Sequence, residues 1–108
     1  MTMNDSNIAK LIGSRIKEKD PDADVILFGS HARGDARNDS DWDVLILIDK
    51  KKESRTDENI YRDEMFELEL EIGQPISTII FSKNDWNTKH KITPLFKTIE
   101  KEGVKLTR

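Results

Sequence analysis

The chain has 108 residues, of which 36% are charged and 35% hydrophobic, and its formal net charge is −3. These values predict one domain over residues 1–108 with a modest core, and the acidic balance argues against direct nucleic-acid binding. The lack of cysteine excludes a disulfide framework, while the lack of a long apolar run or an apolar leader favours a cytoplasmic protein that does not enter a membrane.

The first predicted element is an amphipathic helix. Its apolar residues fall at positions i, i+3, i+4 and i+8 of one helical stripe, namely Ile8, Leu11, Ile12 and Ile16. Asp5 or Ser6 is suited to cap its N-terminus. Asp20-Pro21-Asp22 should end it, because proline disfavours helical geometry in the residue before it.

Two apolar runs around a polar loop follow the helix. The first run predicts a short strand near Asp24–Phe28, and the second, Val44–Ile48, predicts another buried strand. Residues 34–40 between them are turn formers throughout. This part of the chain is therefore predicted to run strand, loop, strand.

Gly29 and Ser30 come directly after the first of these strands. Glycine lets the backbone turn sharply there and approach a ligand closely. Ser30 is suited to cap a short helix or turn that begins at His31. Free N–H groups at such a start suit phosphate, whereas His31 itself is expected to be an exposed turn residue.

Asp41, Trp42 and Asp43 lead into the second strand and are separated from Ser30 by ten residues. Since side chains alternate along a strand, both carboxylates should point to one face and Trp42 to the other, into the core. Two neighbouring carboxylates repel unless a cation lies between them, and Mg²⁺ often takes carboxylates together with phosphate oxygens. The pattern predicts a nucleoside-triphosphate site with Mg²⁺, the alternative being a hairpin with an acidic loop.

The middle of the chain predicts a second long helix. It should run from about Thr56 to Ile72 and stop at Gly73. Residues 66–71 alternate between apolar and acidic side chains, so a strand there is the alternative. The three lysines at 50–52 are interpreted as a solvated turn.

The last third predicts a strand and two helices. Pro75–Phe81 is rich in β-branched residues and predicts the third strand, and residues 82–86 a short capped helix or turn. Thr93-Pro94 opens a final helix that Gly103 should stop, and residues 104–106 form a short tail. The predicted fold class is α+β, with a small mixed sheet of three to four strands and helices packed on it.

The pattern Gly29-Ser30-x10-Asp41-x-Asp43 resembles the signature of the DNA polymerase β-like nucleotidyltransferases. Ala32-Arg33-Gly34 after the serine, Ser40 before the first aspartate and the short chain are similar to the minimal nucleotidyltransferase (MNT) branch. The motif covers residues 27–49, and its two halves, each attached to an apolar strand, make it specific. The resemblance implies the small nucleotidyltransferase fold.

The resemblance also implies the chemistry. Asp41 and Asp43 would be the catalytic and metal-binding carboxylates, holding Mg²⁺. Gly29 and Ser30 would bind the triphosphate of an NTP, expected to be ATP. Arg33 would serve as a bidentate phosphate donor, or else be a surface residue of the turn. A hydroxyl acceptor would take the nucleoside monophosphate, and pyrophosphate would leave.

The sequence departs from the family at one position. A third carboxylate commonly follows a Pro-Val pair on a later strand, and here the matching stretch places Ser77 where an aspartate is expected. A serine hydroxyl is a poor general base. Glu69 or Glu71 would substitute only if the chain folded back to the site, and a solvated helix face is the favoured interpretation of both.

Two functional hypotheses follow. MNT proteins of this size are often antitoxins that adenylylate a HEPN-type RNase toxin, which implies an enzyme with a partner protein. A degenerate site would instead make the domain a protein-binding module, or a nucleotide sensor without turnover. The sequence does not choose between a monomer and a homo-oligomer.

Overall fold

The computed structural model describes residues 4–107, which form nine elements of secondary structure. In chain order they are α1 (Asp5–Lys19), β1 (Asp24–Phe28), α2 (Ser30–Arg33), β2 (Trp42–Ile48), α3 (Arg55–Ile72), β3 (Ile76–Ser82), α4 (Lys83–Asn87), α5 (Pro94–Glu102) and β4 (Val104–Lys105). No helix in this range is long and apolar enough to cross a bilayer.

The four strands form one mixed sheet in the order β3-β2-β1-β4. β1 runs antiparallel to β2 and pairs Phe28 with Asp43. β3 runs parallel to β2 and pairs Ser77 with Asp43. The α+β prediction with three to four strands is therefore confirmed, and the candidate site residues lie where three strands begin or end.

The sheet separates two apolar clusters. Alternate residues of β2 face opposite sides, which is the period of a strand buried on both faces. One face packs against α1 and α3 through residues that include Ile8, Ile12, Trp42, Val44, Ile46, Met65 and Leu68. The other packs against α4 and α5 through Leu45, Leu47, Trp86, Phe96 and Ile99.

The ends of α1 follow capping chemistry, with one correction. Asn4, and not Asp5 or Ser6, is the N-cap of α1, because its side chain accepts the N–H of Asn7 at 2.9 Å. Asp5 then falls in the first turn, where an acidic residue complements the helix dipole. The stop at Asp20 is confirmed.

The helix predicted near Thr56–Ile72 is confirmed and begins at Arg55. The strand alternative for residues 66–71 is wrong. A strand would place residues 66, 68 and 70 on one face, whereas Leu68 is fully buried, Phe66 is 59% exposed and Leu70 is 68% exposed. Helical spacing from Met65 explains the burial of Leu68.

The predicted tail contains a strand, β4, which the sequence interpretation missed. Val104 pairs with Leu27 and Lys105 with Ile26. The strand has only two residues, which is too short for any alternation to show in sequence. The short helix at residues 83–87 and the last helix, capped by Thr93, are both present.

Candidate functional site

Gly29 is the corner between β1 and α2. Its backbone has φ 76° and ψ −158°, a conformation that L side chains rarely adopt. A Cβ built there would overlap the Oδ2 atom of Asp43 and lie 3.0 Å from its Cγ. The sharp turn predicted at this glycine is present, and the missing Cβ leaves room for a carboxylate of the same chain, whereas close approach to a ligand stays a prediction.

Ser30 does not cap the short helix, contrary to the sequence prediction. Gly29 occupies the cap position, and α2 begins at Ser30 itself. The positive φ at Gly29 turns the chain one residue earlier than a serine cap would. The carbonyl of Gly29 accepts the N–H groups of Ala32 and Arg33 at 3.1 and 3.0 Å.

Asp41 and Asp43 come together at the start of β2. Asp43 is the second residue of the strand and is partly buried, whereas Asp41 precedes the strand and is exposed. Burial raises the pKa of Asp43, and the charge of Asp41 adds to that rise. The charges of His31 and Arg33 act in the opposite direction. The two carboxylates therefore repel each other, and the nearby His31 and Arg33 partly offset that repulsion.

His31 is almost buried, so the expectation of an exposed turn residue is wrong. Its side chain is 4% exposed, and its ring stacks on Trp42 with centroids 3.7 Å apart and planes 8° apart. Trp42 is 1% exposed and faces the core, as predicted. Its indole N–H donates to Oε1 of Gln74 at 2.8 Å. This stack fixes α2 against the start of β2, and therefore Gly29 against the carboxylates.

Arg33 is the last residue of α2, and two acidic side chains hold it. Its Nε lies 3.2 Å from Oδ2 of Asp35, and its Nη1 lies 3.2 Å from Oε2 of Glu102. Hydrogen bonds to Asp35 and Glu102 raise the pKa of the guanidinium. Glu102 was not predicted, since it lies 69 residues away in the chain and on an unrelated helix.

Ser77 occupies the position beside Asp43 on the neighbouring strand. Paired residues of adjacent strands point to the same face, so the Ser77 and Asp43 side chains share a face of the sheet. Ser77 is exposed. The predicted position for a third carboxylate therefore holds a hydroxyl.

Glu69 and Glu71 do not fill that gap. The carboxylate of Glu69 accepts the N–H of Ile76 at 2.7 Å, and that of Glu71 pairs with Arg15. Both lie on α3, which packs on the opposite face of the sheet from Asp43. Glu69 links α3 to the start of β3, and Glu71 links α3 to α1.

The donor set fits a metal that arrives with a substrate. Among residues 4–107, no group of three or more histidine, aspartate or glutamate side chains is arranged to hold a metal ion. Mg²⁺, however, is commonly held by one or two carboxylates while substrate phosphates and water complete its octahedron. Asp41 and Asp43 match that smaller requirement, and their mutual repulsion gives a cation a favourable place.

Comparison with known proteins gives the family. The nucleotidyltransferase domain profile matches residues 10–105. A chain of a crystal structure described as a toxin–antitoxin with AMP-PNP superposes with a TM-score of 0.66 at 18% identity, covering 93% of this chain and 72% of that one. No curated protein matches the sequence. With the profile spanning nearly the whole chain, the protein belongs to the nucleotidyltransferase domain family.

Proposed function

We propose that the protein transfers AMP from ATP to a hydroxyl group of a partner protein, with Mg²⁺ bound at Asp41 and Asp43. The observation that carries this proposal is the contact between Gly29 and Asp43. The turn at Gly29, here called the nucleotide corner, lies so close to the Asp43 carboxylate that there is no room for a Cβ. A triphosphate bound at residues 29–30 would lie directly against the two carboxylates. Membership in the nucleotidyltransferase family supports the reaction class.

Each residue has a defined task in this proposal. Gly29 and Ser30 present backbone N–H groups to the triphosphate, and Arg33 adds a charged donor. Asp41 and Asp43 hold the metal, which when bound neutralises charge on the phosphates. The stack of His31 on Trp42 keeps the two halves of the site in register.

The transfer forms one bond and breaks one. The acceptor oxygen bonds to the α-phosphorus, and the bond from that phosphorus to the oxygen bridging to the β-phosphate breaks. Pyrophosphate leaves with the electron pair. The hydroxyl proton passes to water at the exposed face, where Ser77 is a weak base. We therefore expect slow turnover.

The acceptor is proposed to be a HEPN-type toxin, with this chain as its antitoxin. The superposable chain comes from a structure described as a toxin–antitoxin, and that structure contains AMP-PNP, an ATP analogue. We expect this chain to form a stable complex with the acceptor protein.

A second candidate function is favoured by Ser77. A hydroxyl at the third-carboxylate position, paired in register with Asp43, is what a degenerate site would contain. In this alternative the domain binds a partner protein, and nucleotide binding has no turnover.

One experiment separates the two functions. The chain is co-expressed with the protein encoded by the neighbouring gene, sized as a complex, and incubated with Mg²⁺ and ATP labelled on the α-phosphate. Label on the partner that disappears in the Asp43→Asn variant supports the enzyme. A stable complex without label on protein or RNA supports the binding module, and a monomer without label contradicts both.

A further inference from the structure

Glu102, the last residue of α5, binds the arginine to which a phosphate role is assigned above. Nη1 of Arg33 lies 3.3 Å from Oε1 and 3.2 Å from Oε2 of Glu102. The Glu102 side chain is 18% exposed and the Arg33 side chain 46%. The carboxylate is thus the more enclosed member of the pair, and the guanidinium is the member with room to turn toward a ligand.

The end of α5 is fixed against the sheet. Leu27 pairs with Val104 across β1 and β4, so Glu102, two residues earlier, comes to the level of Gly29. The N–H of Gly103 donates to the carbonyl of Ile99 at 2.7 Å, and a Cβ at Gly103 would come within 2.9 Å of Ile26. Glu102 therefore stands beside the nucleotide corner because tight packing holds it there.

Glu102 and a triphosphate would compete for the same donor. A guanidinium offers five N–H groups in a fixed planar fork, and Glu102 accepts from Nη1 while Asp35 accepts from Nε. The charge of Glu102 is also felt at Asp43, whose pKa it helps to raise, after the larger effects of burial and Asp41. A polyanion entering this corner meets four acidic side chains and an arginine that is already hydrogen-bonded to two of them.

Building on the phosphate role proposed for Arg33, we propose that Glu102 is a positioning residue for that arginine. It holds the guanidinium beside Gly29 in the nucleotide-free protein, and a bound triphosphate displaces it. The exchange is easier for ligands with more negative charge, so a triphosphate displaces Glu102 more readily than a monophosphate, which carries a charge of about −1.5 to −2. Glu102 thereby lowers nucleotide affinity while it keeps the arginine in place.

The test measures binding, and it needs no knowledge of the acceptor. Wild type and Glu102→Gln are titrated by calorimetry with Mg²⁺ and AMP-PNP, and separately with inorganic tripolyphosphate. Exposed ion pairs are weak, so freeing Arg33 should lower the Kd by only about 1.5- to 5-fold. The gain should shrink as salt is raised. AMP should bind weakly to both proteins.

Glu100→Gln is the matched control. Glu100 is exposed on the same helix, and its substitution changes the net charge by the same amount. It should leave the Kd close to wild type. In an Arg33→Met background, Glu102→Gln should give no further gain, which a general loss of negative charge would still produce. Glu102→Asp, with a shorter reach, should give a smaller gain and serves if Glu102→Gln folds poorly.

Several results would overturn the exchange. They are equal affinities for wild type and Glu102→Gln, an equal gain in Glu100→Gln, a gain that persists without Arg33, or no tripolyphosphate binding in any variant. The fate of the proposed function is read separately. If no AMP transfer is seen but Glu102→Gln binds nucleotide more tightly than wild type, the proposed function alone is contradicted. If transfer is measured but wild type and Glu102→Gln have equal nucleotide affinities, the exchange alone is contradicted.

Discussion

The carboxylate of Asp43 lies against the Cα of Gly29, so the nucleotide corner and the metal ligand are built as one contact. Gly29→Ala should therefore harm the protein in two ways, by backbone strain at φ 76° and by overlap with Asp43. We expect a loss of about 1–3 kcal/mol in the free energy of unfolding, measured by urea denaturation, together with loss of Mg²⁺-dependent nucleotide binding.

Gly34→Ala is the matched control for this prediction. Gly34 has a similar φ of 83°, but nothing lies within 4 Å of a Cβ built there. Its substitution should show the cost of strain alone and keep nucleotide binding. If Gly29→Ala and Gly34→Ala lose the same free energy of unfolding, the overlap with Asp43 contributes nothing to that loss.

Asp41 and Asp43 should lower the free energy of unfolding of the ligand-free protein, while they are needed for binding Mg²⁺ with ATP. Burial raises the pKa of Asp43, with Asp41 adding to the rise, so ionised Asp43 costs free energy in the folded state at neutral pH. The Asp41→Asn, Asp43→Asn double variant should be at least as stable as wild type without ligand. It should lack the stabilisation by Mg²⁺ and ATP, which for wild type reaches about 2.7 kcal/mol at 100 times the Kd.

Thermal unfolding with and without Mg²⁺ and ATP measures this difference. Asp49→Asn, at an exposed aspartate just beyond the far end of β2, is the control and should respond to the ligand like wild type. A double variant that kept the full ligand-induced shift would show that the metal and nucleotide bind elsewhere.

Ser77→Asp should speed transfer if the site lacks a base. The new carboxylate would stand in register with Asp43 on the same face, and general-base help is worth about 10²- to 10⁴-fold. The same charge should destabilise the ligand-free protein by repulsion. Initial rates at saturating ATP are compared with those of Ser77→Asn, which has similar size and no charge.

Nucleotide affinity should change much less than rate in Ser77→Asp, because residues 29, 30, 41 and 43 remain. If wild type is already fast and Ser77→Asp is silent, Glu69→Gln and Glu71→Gln come next. If these variants also transfer at the wild-type rate, the hypothesis that the site needs a third carboxylate is wrong.

Asp57 should make the protein sensitive to acid. It accepts from Nζ of Lys50 at 2.5 Å and from Oγ of Ser54 at 2.8 Å, within the capping box of α3. These bonds, that from Lys50 first, hold its pKa below the ordinary value. A lowered folded-state pKa gives stability that is present above the unfolded value, near 4, and lost as pH falls through the folded value.

Asp57→Asn should cost about 1 kcal/mol at pH 7, because it weakens the capping box and removes the charge that accepts from Lys50, and should flatten the decline in stability below pH 4. Urea denaturation across that range measures both. Glu58→Gln, the next residue in the same helical turn, is the control and should keep the wild-type slope. Matching slopes in both variants would rule out a special role for Asp57.

Local rules determined much of this fold from sequence. Apolar periodicity located α1, β1 and β2, and the cap residues Thr93 and Gly73 set helix ends because each acts on its own neighbours. The spacing of Gly29, Ser30, Asp41 and Asp43 identified the family, since a strand-bound glycine and paired carboxylates leave a signature within 15 residues. The family resemblance implied the position of Ser77 near the carboxylates, and the structure gives the register that pairs it with Asp43.

Only the tertiary structure decided the remaining contacts of the site. His31 is enclosed because α2 folds onto Trp42, and Glu102 meets Arg33 because the chain that follows the last helix pairs with β1 as β4. The two-residue strand β4 exists because β1 offers it an open edge. None of these follows from composition or period, since each depends on groups far apart in the chain that packing alone brings within reach.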